Sequence, residues 1–340
     1  MNKIKVIFTG GTIGSLATGN DISPDSKTKY MLLENYGKDL DRFITSNPLF
    51  ILSENANLAN ILQMAREITL AQHEDGLKGI IMTHGTDTLA FTSALLSFLV
   101  PQVKIPVVLV SSDYVLTDAK ANGNINFRVA VELIDDKNTI PAIYVAYKNE
   151  NEDFTNIHLA SRMREPSSYS NSFYSPFGTR YAVYKSGVFT YENTNINKSE
   201  KLFINSIFEN NITCTGLFIH PHTGLDYNNY KNISSTFVLH DSYHSGTANT
   251  TDYIDNTFQT NFLSFADYCK ENSIPLYLCN IRKKDVNYNS TNQMLEKNIF
   301  PLYDIVTNVA LAKLIVAYNF VDEKDRKEFL STSIAGEILK

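Results

Sequence analysis

The 340-residue sequence contains no tryptophan and only three cysteines. Cys214, Cys269 and Cys279 stand in apolar or helical contexts without CxxC spacing, which points to reduced, buried thiols in a cytoplasmic protein rather than to a disulfide framework. Apolar runs are short: none approaches the roughly 20 residues that a membrane-spanning helix needs. The N-terminus, MNKIKVIFTGG, passes straight into a strand-like run with no small-residue cleavage site, which argues against a secretory signal. Positive charge is not in excess either. Thirty Lys and Arg stand against 36 Asp and Glu, a net charge of -6, so there is no basic footprint for nucleic acid or an anionic membrane.

What the chain does have is apolar material, 43% against 19% charged, sufficient for a core in each of two domains of ordinary size. Short apolar runs alternate with helical periodicity. The pattern predicts strands at Ile4–Phe8, Leu77–Thr83, Pro106–Val110 and Pro141–Tyr147. It predicts helices at Leu58–Ile68, Leu89–Leu99 and Phe127–Ile134. Strand–helix–strand alternation means an α/β fold with a mostly parallel sheet covered on both faces. The rhythm falters between Gly178 and Asn211. We therefore expect an N-terminal α/β domain over residues 1–185, a linker over 186–211 and a smaller α/β C-terminal domain over 212–340. In the latter, strands are expected at Gly216–His220, Thr236–His240 and Ile274–Cys279. A helix is expected at Asn261–Glu271, a long apolar helix at Leu302–Tyr318 and an amphipathic helix at Asp322–Leu339.

Two motifs follow predicted strands, where ligands bind in parallel sheets. Thr9-Gly10-Gly11-Thr12-Ile13-Gly14 combines glycines, which let the backbone turn sharply and approach a ligand, with a hydroxyl. Taken alone it is equally a simple strand–helix turn; it does not match GxGxxG. His84-Gly85-Thr86-Asp87-Thr88 sets two hydroxyls and a carboxylate at a helix start, where they serve equally as caps. Neighbouring host strands would bring Thr12, Thr86 and Asp87 into one crevice, as nucleophilic catalysis requires.

These paired motifs resemble the signatures of the L-asparaginase family. Leu116–Phe127, with its acid/amide-Gly-x-x-Asn pattern, and His158–Pro176 extend the resemblance over about residues 1–180. The resemblance implies that Thr12 is the nucleophile attacking a side-chain amide, with Thr86 the second hydroxyl across the substrate. Asp87 would pair with the substrate ammonium. Ser53 falls at a substrate-binding serine and Glu54 beside it; read without the family, Ser53 is a helix N-cap and Glu54 a solvated acid. Backbone N–H groups around Gly11 and Gly85 would meet the substrate carboxylate and the oxyanion. Two positions depart from the family. Its catalytic lysine is replaced by Arg164, which in practice cannot lose a proton. Its lid tyrosine has no clear match in Leu16–Leu32, where Tyr30 is the only tyrosine.

His220-Pro221-His222 and His240–His244 lack HExxH spacing and read as loop histidines, so no metal is expected. Asp241–Asn249 loosely resembles the family's second-domain glycine loop, with Gly246 its only glycine. The expected protein is a cytoplasmic amidohydrolase that converts L-asparagine, L-glutamine or a related small amide to acid and ammonia. It needs no cofactor, engages neither nucleic acid nor membrane, and forms a homodimer or homotetramer with sites between subunits. Arg164 keeps two other readings open: an amidohydrolase for a more acidic amide, and a catalytically silent amino-acid-binding regulator.

Overall fold

The structure is a computed structural model that describes residues 3–18, 21–24, 28–232, 234–251, 261–284 and 286–339. In chain order its first half comprises β1 (Lys3–Ile7), β2 (Ser15–Thr18), β3 (Asp21–Pro24), α1 (Thr28–Tyr36), β4 (Phe43–Ser46), α2 (Leu58–Ala71), β5 (Leu77–Thr83), α3 (Leu89–Leu99), β6 (Val107–Val110), α4 (Gly123–Asp135), β7 (Ile143–Tyr147), β8 (Thr155–Leu159), β9 (Ala182–Lys185) and β10 (Val188–Tyr191). The second half comprises β11 (Leu217–Ile219), β12 (Val238–His240), α5 (Phe262–Glu271), β13 (Leu276–Ile281), α6 (Asn289–Leu295), β14 (Phe300–Tyr303), α7 (Thr307–Phe320) and α8 (Glu323–Ser331).

Two sheets organise these elements. The first has eight strands in the order β10-β9-β8-β7-β6-β5-β1-β4; the second has four, β11-β12-β13-β14. Pairing is parallel from β4 through β7 and throughout the second sheet, and antiparallel from β7 through β10. The fold is therefore α/β with mostly parallel sheets, as expected. Strands β6 and β7 are buried at every residue because helices cover both faces of the sheet.

The layering explains which helices are apolar all round. One face of the first sheet packs on α4 through Ile81, Val108 and Phe127. Its other face shares a continuous core with α2, α3, α7 and the near face of the second sheet, through Met82, Leu95, Val316 and Leu239. The far face of the second sheet packs on α5 and α6 through Val238, Phe265 and Met294. Helices α3 and α7 lie between the sheets, so nearly every residue of each is buried, and such a helix carries no polar face.

Several elements depart from expectation. Where the rhythm falters, β9 and β10 form an antiparallel hairpin that extends the first sheet to Tyr191. The run expected as a helix from Leu302 begins instead as β14, which pairs with β13, and the helix starts at Thr307; an apolar run alone does not separate strand from helix. Likewise α8 ends at Ser331, and residues 332–339 form an irregular tail. No helix among the described residues is long and apolar enough to cross a membrane.

Three histidines sit inside these layers. Burial lowers all of them: His84, His158 to about 3 with help from the Arg180 charge, and His240 to about 4. The unfolded chain takes up these protons near pH 6.5, whereas the folded chain resists until well below. Their contribution to stability is therefore complete above about pH 6.5 and is lost as pH falls through the lower folded values. Urea midpoints should drop between pH 6 and 4, and His158→Gln should flatten that slope by about 1 kcal/mol per pH unit. An unchanged slope would count against a buried, neutral His158.

Candidate active site

Strands β1 and β5 are neighbours, so the two motifs that follow them start side by side. Thr9 fixes the join: its N–H donates to Thr83 Oγ1 at 3.1 Å and its hydroxyl donates to the Thr83 carbonyl. Gly10 and Gly11 then take φ values of +103° and +80°, a region that glycine alone occupies without strain. Close approach reinforces the requirement. A Cβ on Gly10 would lie 2.1 Å from Ile51 O, and one on Gly11 would lie 2.3 Å from the Gly85 nitrogen. The two motifs thus meet backbone to backbone.

From Gly11 the chain enters a 3-10 turn, Thr12–Gly14, closed by Gly14 N–H to Gly11 O at 2.9 Å and by Ser15 Oγ to the same carbonyl at 2.8 Å. That turn buries Ile13 and leaves Thr12 half-exposed. Opposite it, Thr86 is half-exposed and Asp87 exposed. Among the described residues, the side chains of Thr12, Thr86 and Asp87 have no hydrogen-bond or ion-pair partner. Capping does not account for the second motif: no side chain caps the start of α3, and Thr88 Oγ1 donates instead to Ser53 O at 3.1 Å. Nor is Ser53 a helix cap, because α2 is capped by a reciprocal Asn57–Asn60 box. Ser53 is buried, and a Cβ on Gly85 would lie 2.3 Å from its Oγ. The neighbouring Glu54 is exposed. His84 is buried beneath the motif, its Nδ1 2.8 Å from Gly85 O.

Gly11, Thr12, Ser53, Gly85 and Thr86 are therefore gathered at adjoining strand tips. Tyr30 lies on α1, 43% exposed, its ring edge-on to Phe8 with centroids 6.4 Å apart. Arg164 follows a 3-10 turn, Ala160–Arg162, at the end of β8. Its backbone bridges to Tyr174 and its guanidinium lies 5.9 Å over the Tyr174 ring. It has no ion-pair partner among the described residues, and it lines a cavity of about 780 Å³ shared with Phe91, His220, Asp241, Arg282 and Asp304. Thr12, Ser53, Thr86 and Asp87 do not line that cavity.

The cavity was not legible in the sequence. His220 Nδ1 is 2.9 Å from Asp241 Oδ2, and the buried Asp241 also accepts from Ser242 N–H at 2.9 Å and Thr307 Oγ1 at 3.1 Å. The other member of the His-Pro-His run, His222, is turned to Thr223 O, and His240 is buried against Tyr227. No group of three or more His, Cys, Asp or Glu among the described residues is arranged to hold a metal ion. The cysteines are free thiols, two of them buried.

A parallel sheet with two glycine-rich tips in backbone contact, each presenting a hydroxyl, defines a class of α/β protein built around a strand-end crevice. Comparison with known proteins places the chain within that class. A family profile described as "Asparaginase, N-terminal" matches residues 3–196. The chain belongs to the asparaginase family, as its motifs imply. A glutamyl-tRNA(Gln) amidotransferase subunit from Methanococcus maripaludis is 27% identical over 99% of this chain and 81% of its own. The protein of the same name from Sulfolobus acidocaldarius is 25% identical over 99% of this chain and 76% of its own. Among solved structures, the thermostable L-asparaginase from Thermococcus kodakarensis superposes with a TM-score of 0.75 at 23% identity, covering 99% of both chains. L-asparaginase I from Vibrio cholerae gives 0.77 at 19% identity, covering 100% of this chain and 99% of that one. At such identities the two structures show the shared fold.

The backbone contact is directly testable. Gly11→Ala adds a Cβ at positive φ and drives it into Gly85, so it should cost about 1–3 kcal/mol or more in thermal or urea unfolding. Gly14→Ala is the matched control, since a Cβ there meets nothing within 4 Å. Equal stability of the two variants would refute the tip-to-tip contact.

Proposed function

We propose that this chain is an amidohydrolase that cleaves the side-chain amide of a small amino acid, most simply L-asparagine or L-glutamine, through Thr12. The observation that carries this reading is the Gly11–Gly85 contact, which sets the Thr12 and Thr86 tips against each other with Ser53 beside them. In the proposed reaction the Thr12 oxygen bonds to the amide carbon, the carbon–nitrogen bond breaks, and the hydroxyl proton leaves with the nitrogen as ammonia. Water then cleaves the acyl-threonine ester, releases the acid and restores the Thr12 hydroxyl. Backbone N–H groups at the glycine-rich tips are suited to stabilise the oxyanion. We assign Asp87 to the substrate ammonium, which an exposed carboxylate without an internal partner suits. Ser53, Gly11 and Gly85 bind substrate, Glu54 borders it, and Tyr30 serves as the lid residue. We further propose a cytoplasmic protein, in keeping with its free cysteines, and a homodimer or homotetramer. The relatives named as amidotransferase subunits support a second protein as a further partner.

One observation favours a second reading. Arg164 lines a cavity in which His220 is paired with Asp241 and Arg282 with Asp304 while Arg164 has no ion-pair partner among the described residues, and a guanidinium is suited to a carboxylate or phosphate. The substrate would then be a larger amide bearing an extra acidic group. The named relatives are consistent with a substrate other than free asparagine.

Purified protein should release ammonia from at least one member of a panel of amides, and Thr12→Ala should reduce that release by about a thousandfold or more while leaving the fold intact. Residual activity within about tenfold of the parent would remove Thr12 as nucleophile. Arg164→Lys separates the two readings. A lysine that can shed its proton should raise asparagine hydrolysis by about tenfold or more. The same change should lower turnover of an acidic amide. Family-typical asparagine hydrolysis by the parent, unaltered by Arg164→Lys, would place Arg164 outside the site.

A further inference from the structure

The residues that deliver Arg164 are gripped by the C-terminal tail. Beyond β8, Ser161 Oγ donates to Ala335 O at 2.7 Å, and Arg162 Nε donates to Gly336 O at 2.6 Å. From α7, Asn308 Nδ2 donates to Met163 O at 3.1 Å. Ser161, Arg162, Met163 and Asn308 are all buried. Arg164 itself, one residue further on, is held only by its N–H to Tyr174 O at 3.1 Å and by the Tyr174 ring.

The tail has no regular secondary structure, so something else must set its shape. Glu337 does so. Its carboxylate accepts the N–H groups of Ile334 and Ala335 at 2.8–3.0 Å, and it pairs with Lys313 Nζ at 2.6 Å. Lys313 also donates to Leu330 O at 3.1 Å and Thr332 O at 2.6 Å. Both side chains are 0% exposed. Desolvation largely offsets the attraction in such a pair, so stability is a weak reason for its presence. A fully satisfied buried network does, however, impose one geometry on the backbone it binds. Here the bound N–H groups of Ile334 and Ala335 and the Glu337 side chain flank the Ala335 and Gly336 carbonyls that hold Ser161 and Arg162.

We propose that Lys313 and Glu337 form a clasp that positions Arg164, which makes the C-terminal tail a positioning element of the candidate site. The role at that site rests on the amidohydrolase reading above; the mechanical coupling does not. Ser161 transmits the position from the tail, and neither clasp residue touches substrate.

The experiment uses full-length protein, with Ser161→Ala as the mild variant and Glu337→Gln as the severe one, in the parent and in an Arg164→Ala background. Glu337→Gln strands a buried lysine charge and risks unfolding, whereas Ser161→Ala removes one link and leaves the clasp intact. Hydrogen exchange read by mass spectrometry should speed up in residues 160–166 by about fivefold in Ser161→Ala, the worth of one ordinary hydrogen bond. Residues 9–14 and 84–89 should not change. Ammonia release from L-asparagine and L-glutamine should fall by about fivefold in kcat/KM, and that loss should vanish once Arg164 is alanine, as expected for residues acting through one another. Uniform exchange across all three segments, or an equal loss with and without Arg164, would overturn the proposal. A parent that releases no ammonia from any amide of the panel defeats the amidohydrolase reading alone, and the exchange pattern still decides whether the clasp holds Arg164.

Discussion

At the candidate site two strand tips touch through glycine backbone. A Cβ on Gly11 would overlap the Gly85 nitrogen, and one on Gly85 would overlap Ser53 Oγ. The parallel pairing of β1 with β5 brings the tips to the same level, and the bonds between Thr9 and Thr83 hold them there. Thr12 emerges from that contact on a tight turn, half-exposed, while the next residue, Ile13, is buried. The candidate site is a consequence of that approach: Thr12, Thr86 and Asp87 each lie within two residues of Gly11 or Gly85.

The rest of the fold holds this contact still. Helix α3 starts directly behind the second motif and runs buried between the two sheets, against α7. Because the core around α3 and α7 is continuous with both sheets, the second half cannot shift without disturbing the helix that backs Thr86 and Asp87. The same packing forces a polar problem. Lys313 lies in the middle of α7 with no route to water, and Glu337 and Thr332 O of the tail, with Leu330 O of α8, satisfy it.

Legibility in the sequence followed the scale of the interaction. β5 and α3 were readable to the residue, because a buried parallel strand and a buried helix are long apolar runs bounded by glycine and polar residues. The meeting of TGGTIG with HGTDT was readable from strand adjacency. What escaped was set by distant partners. Ser161 and Arg162 look like ordinary polar residues until the tail meets them, and Asn308 until it meets Met163. The apolar run at Phe300–Tyr303 became a strand because β13 offered an open edge, a fact with no local signal. His220 and Asp241, 21 residues apart, meet because β11 and β12 are parallel neighbours whose ends coincide.

Arg164 is where the physical argument bears hardest on function. A lysine can give up its proton when it is desolvated; a guanidinium holds its charge at any relevant pH. If the position is catalytic in the family sense, proton transfer must be found elsewhere; beside the strand tips, Asp87 and Glu54 carry exposed carboxylates, and His84 is buried with its Nδ1 2.8 Å from Gly85 O. The guanidinium instead pairs with no carboxylate among the described residues and lies at the edge of a cavity large enough for more than an asparagine side chain. In the proposed second reading, a permanent, planar cation of that kind, positioned by a buried clasp, meets an anion carried by the substrate. On that proposed reading, the distinction between this chain and a plain asparaginase lies at one residue and at the geometry that holds it.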